Sequence, residues 1–149
     1  MPSSIVGSLT KMEFEYLEKD DIIEIHDSLI QDFGGSLGIL NDGAISYAAE
    51  APAMNVFGHE RYPTIVDKAA ILCFTLVTKH AFVDGNKRVG FASMKMFLNA
   101  NGYTIKNTVS SNEEMVLEVA KGEMNLEDIK AWIELGLIKE DNPEDVITD

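Results

Sequence analysis

"KHAFVDGNKRVGF", Lys79–Phe91, decides how this chain is read. It gathers His80, Asp84, Asn86, Lys87 and Arg88 around Gly85, between two stretches that are otherwise apolar. Upstream, "ERYPTIVDKAAILCFTLVTKH" carries Ile65, Ala69, Leu72, Cys73, Leu76 and Val77 at helical spacing, with Pro63 in the first turn. So wide an apolar face predicts a central helix. Downstream, "RVGFASMKMFLNANGY" predicts a second helix ending at Gly102. Every polar group in a loop between two core helices must be solvated or paired. Their density here needs a reason.

Working outward, the rest of the chain also reads as helices. "KDDIIEIHDSLIQDFGG" places Ile22, Ile25, Leu29 and Phe33 on one face and stops at Gly34-Gly35. "NDGAISYAAEAP" predicts a short helix capped by Asn41 and closed before Pro52. "SSNEEMVLEVAKGE" offers a capping box, Ser110 with Glu113 or Ser111 with Glu114. "MNLEDIKAWIELGLI" is capped by Asn125 and buries Ile129, Trp132 and Ile133. Extended structure is limited to "FEYL" near the start and "YTIK" after Gly102. The expected fold class is all-α: a compact single domain of roughly six to seven helices, with a small flap at "NVFGHERYP". Residues 1–17 read as an N-terminal extension, 18–138 as the domain, and 139–149, "KEDNPEDVITD", as a solvated acidic tail.

A chain of 149 residues, 46% hydrophobic and 25% charged, is sized and composed for one globular core. It has no apolar run near the roughly 20 residues of a membrane span. The opening "MPSSIVGSLTKMEFEYL" lacks the basic and apolar regions of a signal peptide. Cys73, the single cysteine, lies among Ile71, Leu72 and Phe74 and reads as a small buried hydrophobe. These features point to a soluble cytoplasmic domain without disulfides. The net charge of −13 repels phosphate backbones and argues against direct nucleic-acid binding. An anion site in such a chain has to be built locally, and Lys87 with Arg88 is where local positive charge is concentrated.

The loop contains the parts for one. Gly85 suits a turn that needs a positive φ. The helix starting near Lys87 offers free N–H groups and its positive dipole end, which bind phosphate readily. Lys87 and Arg88 add full charges, Arg88 in a geometry that grips phosphate at two points. Asn86 adds neutral donors and acceptors. Asp84 would repel phosphates unless a cation lay between, and a Mg²⁺ that keeps most of its waters resolves the conflict. His80 supplies an imidazole, which can take a proton from a hydroxyl. A base, a metal ligand and phosphate clamps are what phosphoryl or nucleotidyl transfer requires. Asp-Gly-Asn alone is also an ordinary turn, and a Lys-Arg pair is commonly a solvated face. A turn would need nothing beyond the Asp-Gly-Asn.

"HAFVDGNKR", His80–Arg88, resembles the signature of the Fic/Doc superfamily, and within it the death-on-curing (Doc) branch of toxins from type II toxin–antitoxin modules. "GGSLGILNDGAI", "YPTIVDKAA" and "FLNANGY" resemble Doc-branch segments in the same order, so the likeness covers roughly residues 18–135. The resemblance implies that His80 deprotonates a target hydroxyl and that Phe82 pins the loop. It further implies that Asp84 holds Mg²⁺, Gly85 and Asn86 form an anion nest, and Arg88 grips phosphate.

Two positions depart from the AMP-transferring members. Lys87 stands where they have glycine, and Phe91 where they have a second arginine. In the Doc branch such a lysine goes with ATP bound in reverse, its γ-phosphate toward the histidine. The resemblance therefore implies ATP-dependent phosphorylation of a protein hydroxyl, the family target being the translation factor elongation factor Tu, with arrest of translation. AMP transfer and a catalytically silent binding module are the alternatives. A cognate antitoxin is the implied partner and restraint. Ser46 and Glu50 have the spacing of a built-in inhibitory helix, but Ala51 follows, so they read as coincidence. His26 reads as structural, His59 as exposed on the flap.

Overall fold

The computed structural model describes residues 13–140. Residues 1–12 of the expected extension and 141–149 of the expected tail lie outside them. Glu18 starts α1 (Lys19–Phe33) by donating its N–H to Asp21 Oδ2 at 2.8 Å, and Gly34, at φ 91°, ends it. Asn41 Oδ1 accepts from Ala44 N–H at 3.2 Å and caps α2 (Asp42–Glu50), which runs into a 3₁₀ turn at Ala51–Ala53. The flap is a hairpin of two-residue strands, β1 (Asn55–Val56) and β2 (His59–Glu60).

Thr64 and Asp67 cap α3 (Ile65–Thr78) reciprocally, which leaves Pro63 just ahead of the helix and not in its first turn. This is the central helix, buried on nearly every side. The thiol of Cys73 lies wholly inside it, pushed up to about 12 by burial, and is chemically quiet. The following helix, α4 (Asn86–Ala100), packs directly on α3. Gly90 permits the approach: a Cβ there would lie 2.5 Å from Val77 Cγ2. Phe82, Phe97, Leu72, Leu76, Met115 and Ile129 fill the core around this pair.

Three local expectations are corrected. The helix α5 (Val109–Ala120) is capped by Thr108, whose Oγ1 accepts from Ser111 N–H at 3.0 Å, so neither predicted serine box forms. The helix α6 (Leu126–Gly136) is capped by Asn125 as expected but stops before "LIK". Leu137–Lys139 instead becomes β4, antiparallel to β3 (Tyr103–Ile105). Backbone pairing with β3 outweighs the helical pattern of the last apolar residues. "FEYL" joins no sheet; Glu15 exchanges two hydrogen bonds with the side chain of Asn101, at 2.8 and 2.9 Å.

The described residues thus contain six α-helices and two small two-stranded sheets, a mostly α fold. None of these helices is long and apolar enough to cross a membrane.

Candidate active site

The loop between α3 and α4 is anchored by two buried residues. Between exposed His80 and exposed Val83, Ala81 and Phe82 turn fully inward. His80 carries the turn on a left-handed backbone, φ 53°, unusual for a residue with a Cβ. The ring of Phe82 stacks on that of His26 from α1, centroids 3.8 Å apart and 6° from parallel. His26 is itself buried, donates Nε2–H to the Asp84 carbonyl at 2.7 Å, and has Nδ1 3.0 Å from Asp27 Oδ1. One imidazole therefore supports the loop through its face and its edge.

The segment after α1 lines the other side. Leu40 and Asn41 N–H both donate to the Ala81 carbonyl, at 2.9 and 3.0 Å, and Val83 N–H donates to the Gly38 carbonyl at 3.0 Å. Asn86 closes the loop from within. Its Oδ1 accepts from Phe82 N–H at 3.0 Å, and its Nδ2 donates to the Phe82 carbonyl at 2.9 Å. The polar ends of the Asn86 side chain are thus engaged in the fold, and its contribution to anion binding comes down to its backbone N–H.

Asp84 is exposed and aimed. Oδ2 accepts from Ser36 N–H at 3.1 Å and Oδ1 from Gly85 N–H at 2.9 Å. Gly35 makes room for it, since a Cβ there would sit 2.7 Å from Asp84 Oδ2. Gly85, at φ 81°, turns the chain into α4. The first backbone bond inside that helix runs from Val89 N–H to Gly85 O, so the N–H groups of Asn86, Lys87 and Arg88 have no intrahelical acceptor. Arg88 donates Nη1–H to the Gly34 carbonyl at 2.9 Å, its guanidinium 5.8 Å from the centre of the Phe33 ring.

Two depressions meet at Lys87. A polar cleft of about 500 Å³ has His80, Asp84, Gly85, Asn86 and Lys87 on one wall and Lys121 and Gly122 on the other. A largely apolar groove of about 540 Å³ adjoins it at Lys87, lined by Phe33, Phe91 and Val116, with Lys87, Arg88 and Glu113 as its charged residues. Five of the six residues singled out in the sequence share the polar cleft, and Arg88 faces the groove. Lys121 went unnoticed in the sequence because a lysine followed by glycine at a helix end is commonplace. His26, read from the sequence as structural, acts through contacts to Phe82 and Asp84 that the sequence does not announce.

The fit to magnesium can be tested on these contacts. Among the described residues no cluster of three or more His, Cys, Asp or Glu side chains is placed to hold a metal. Asp84 is one carboxylate with lone pairs left on both oxygens. A single oriented carboxylate fits a Mg²⁺ that arrives with phosphate oxygens and keeps its waters, not one in a protein cage.

A pair of core helices joined by a loop of this composition is the mark of a known class. The Fic/DOC family matches residues 16–98, and the chain belongs to it. Over 119 residues it is 35% identical to a protein named Toxin Doc from Mycolicibacterium smegmatis (strain ATCC 700084 / mc(2)155), a match covering 78% of this chain and 89% of that relative.

Proposed function

We propose that this chain is a Doc-like toxin that moves the γ-phosphate of ATP onto a hydroxyl of a protein, with elongation factor Tu as the target the family likeness favours. The observation that carries the reading is the opposite character of the two depressions that meet at Lys87. A nucleoside triphosphate has one apolar end and one anionic end. Laid across Lys87, its base enters the groove and its terminal phosphate reaches the cleft beside His80 and Asp84. The opposite pose, which AMP transfer needs, would put the outer phosphates against Phe91 and Val116, in a groove that also carries the Glu113 carboxylate.

The chain's own groups then divide the work. The free N–H groups at the start of α4, with Lys87 and Arg88, hold phosphate oxygens. His80 takes the proton of the incoming hydroxyl, whose oxygen forms a bond to the γ-phosphorus as the bond to the bridging oxygen breaks and ADP leaves. Magnesium, held by Asp84, would neutralise charge on the phosphates. Because the loop backbone is fixed by His26, Asn86 and the Gly38–Asn41 segment, these groups are positioned before substrate arrives. A cytoplasmic setting and a cognate antitoxin that denies nucleotide entry complete the proposal.

The test is incubation with Mg²⁺, a cell extract and ATP labelled at either the α or the γ position. Protein labelled only from the γ position is the expected result, falling about 10²- to 10⁴-fold in His80→Ala. Label moving only from the α position would replace phosphorylation by AMP transfer.

A further inference from the structure

We infer that the apolar groove is a purine subsite in which Asn112 reads the edge of the base and favours adenine over guanine. The inference rests on the nucleotide reading above and adds what selects the base.

The groove lies between α1, α4 and α5 and carries Lys87 and Arg88. A wholly apolar ligand would make no use of those cations, and a compact anion would make none of the walls. The matching occupant is a flat apolar body with an anionic tail. Phe33 is 66% exposed at the end of α1, an aromatic face left open beside the Arg88 guanidinium. Such a face stacks bases of any identity.

Discrimination needs a directional group, and the α5 wall carries Asn112 beside the Glu113 carboxylate. Asn112 lines the groove, and its side-chain oxygen is buried with no hydrogen-bond donor. Two nearby donors are committed elsewhere. Asn112 N–H bonds the Thr108 carbonyl at 3.0 Å, and Trp132 Nε1–H bonds Ser111 Oγ at 3.2 Å. A buried acceptor without a partner is unfavourable until a ligand supplies one. The terminal torsion of an asparagine is soft and roughly two-fold, so the amide can turn either polar atom toward an entering base. Adenine offers an exocyclic amino donor beside a ring-nitrogen acceptor, which pairs with an amide through two hydrogen bonds. On its N7 edge guanine offers two acceptors, N7 and O6, and read along that edge it would leave the Asn112 oxygen unsatisfied.

The experiment is titration calorimetry of the Mg²⁺ complexes of the non-hydrolysable imido analogues of ATP and GTP against wild type, Asn112→Ala and Phe33→Ala. Wild type should bind the adenine analogue about tenfold or more tightly, and Asn112→Ala should bring the two affinities to within about twofold. Phe33→Ala should weaken both in parallel. A misfolded variant would also lose both together, so the ratio isolates the reading role. An unchanged ratio in Asn112→Ala, or no preference in wild type, overturns the inference and leaves the nucleotide reading standing. Binding of neither analogue by wild type removes both.

Discussion

The loop at Lys79–Arg88 and the hairpin at Asn55–Glu60 both emerge from the helical body, yet they are secured in opposite ways. The loop has two fully buried residues, a stacked histidine beneath it and backbone bonds to a neighbouring segment. The hairpin ends in Phe57, 98% exposed at φ 51°, followed by Gly58 at φ 82°. Its tie to the core is Lys68, a fully buried lysine of α3 that donates to Glu60 Oε1 and, at 2.7 Å, to the Pro52 carbonyl. The rings of Phe14 and Tyr16 lie 5.1 and 5.5 Å from the same ammonium. A segment fixed at its donors suits chemistry that tolerates little displacement. A short hairpin with an aromatic tip, tethered at its base, suits contact with a partner.

Phe82→Ala strikes this contrast hardest. Removing a buried, stacked ring should cost about 3–5 kcal/mol in denaturant unfolding, and transfer activity should disappear with the loop geometry. A loss under about 1 kcal/mol would mean the loop is held by its hydrogen bonds and not by its core anchor. The flap should respond in an ordered way. Glu60→Gln leaves a buried ammonium without its counter-charge and should cost about 1–3 kcal/mol, while Lys68→Met frees a half-exposed glutamate to water and should cost less. The opposite order of melting temperatures would show that attraction, not desolvation, governs the tether.

The smallest effect belongs to Asp67, which lies outside both regions. Burial works to raise its carboxyl, but hydrogen bonds from Lys130 and Thr64 outweigh it and hold it below the ordinary 3.8. Its folded value is depressed, so its stabilisation is present above that ordinary value and disappears as acidification passes through the folded one. Asp67→Asn should lower stability at neutral pH by about 1 kcal/mol. The gap from wild type should close as the pH falls below 3.8. A gap undiminished at about pH 3 would assign the loss to the cap alone.

Much of this was legible in the sequence, for reasons local to it. Asn41 and Asn125 are caps whose bonds span three residues, and the face of α3 repeats within single turns. What escaped depends on distant partners. Lys68 interrupts an apolar stripe, and nothing near it in sequence announces Pro52 or Phe14. Gly136 sits where Asn107, far away in sequence, fills the space a Cβ would need. Within the site the residue types pointed to the place, but not to their division of labour. Asn86 reads as a ligand group until its amide is found bonded to Phe82.

The left-handed backbone at His80 has a practical corollary. Glycine is comfortable at that angle and histidine is not, a difference of about 1 kcal/mol or more. Selection of variants for thermal endurance alone would therefore tend to enrich His80→Gly and return a hardier protein stripped of its proposed base. Any programme to toughen this chain has to score transfer and melting together.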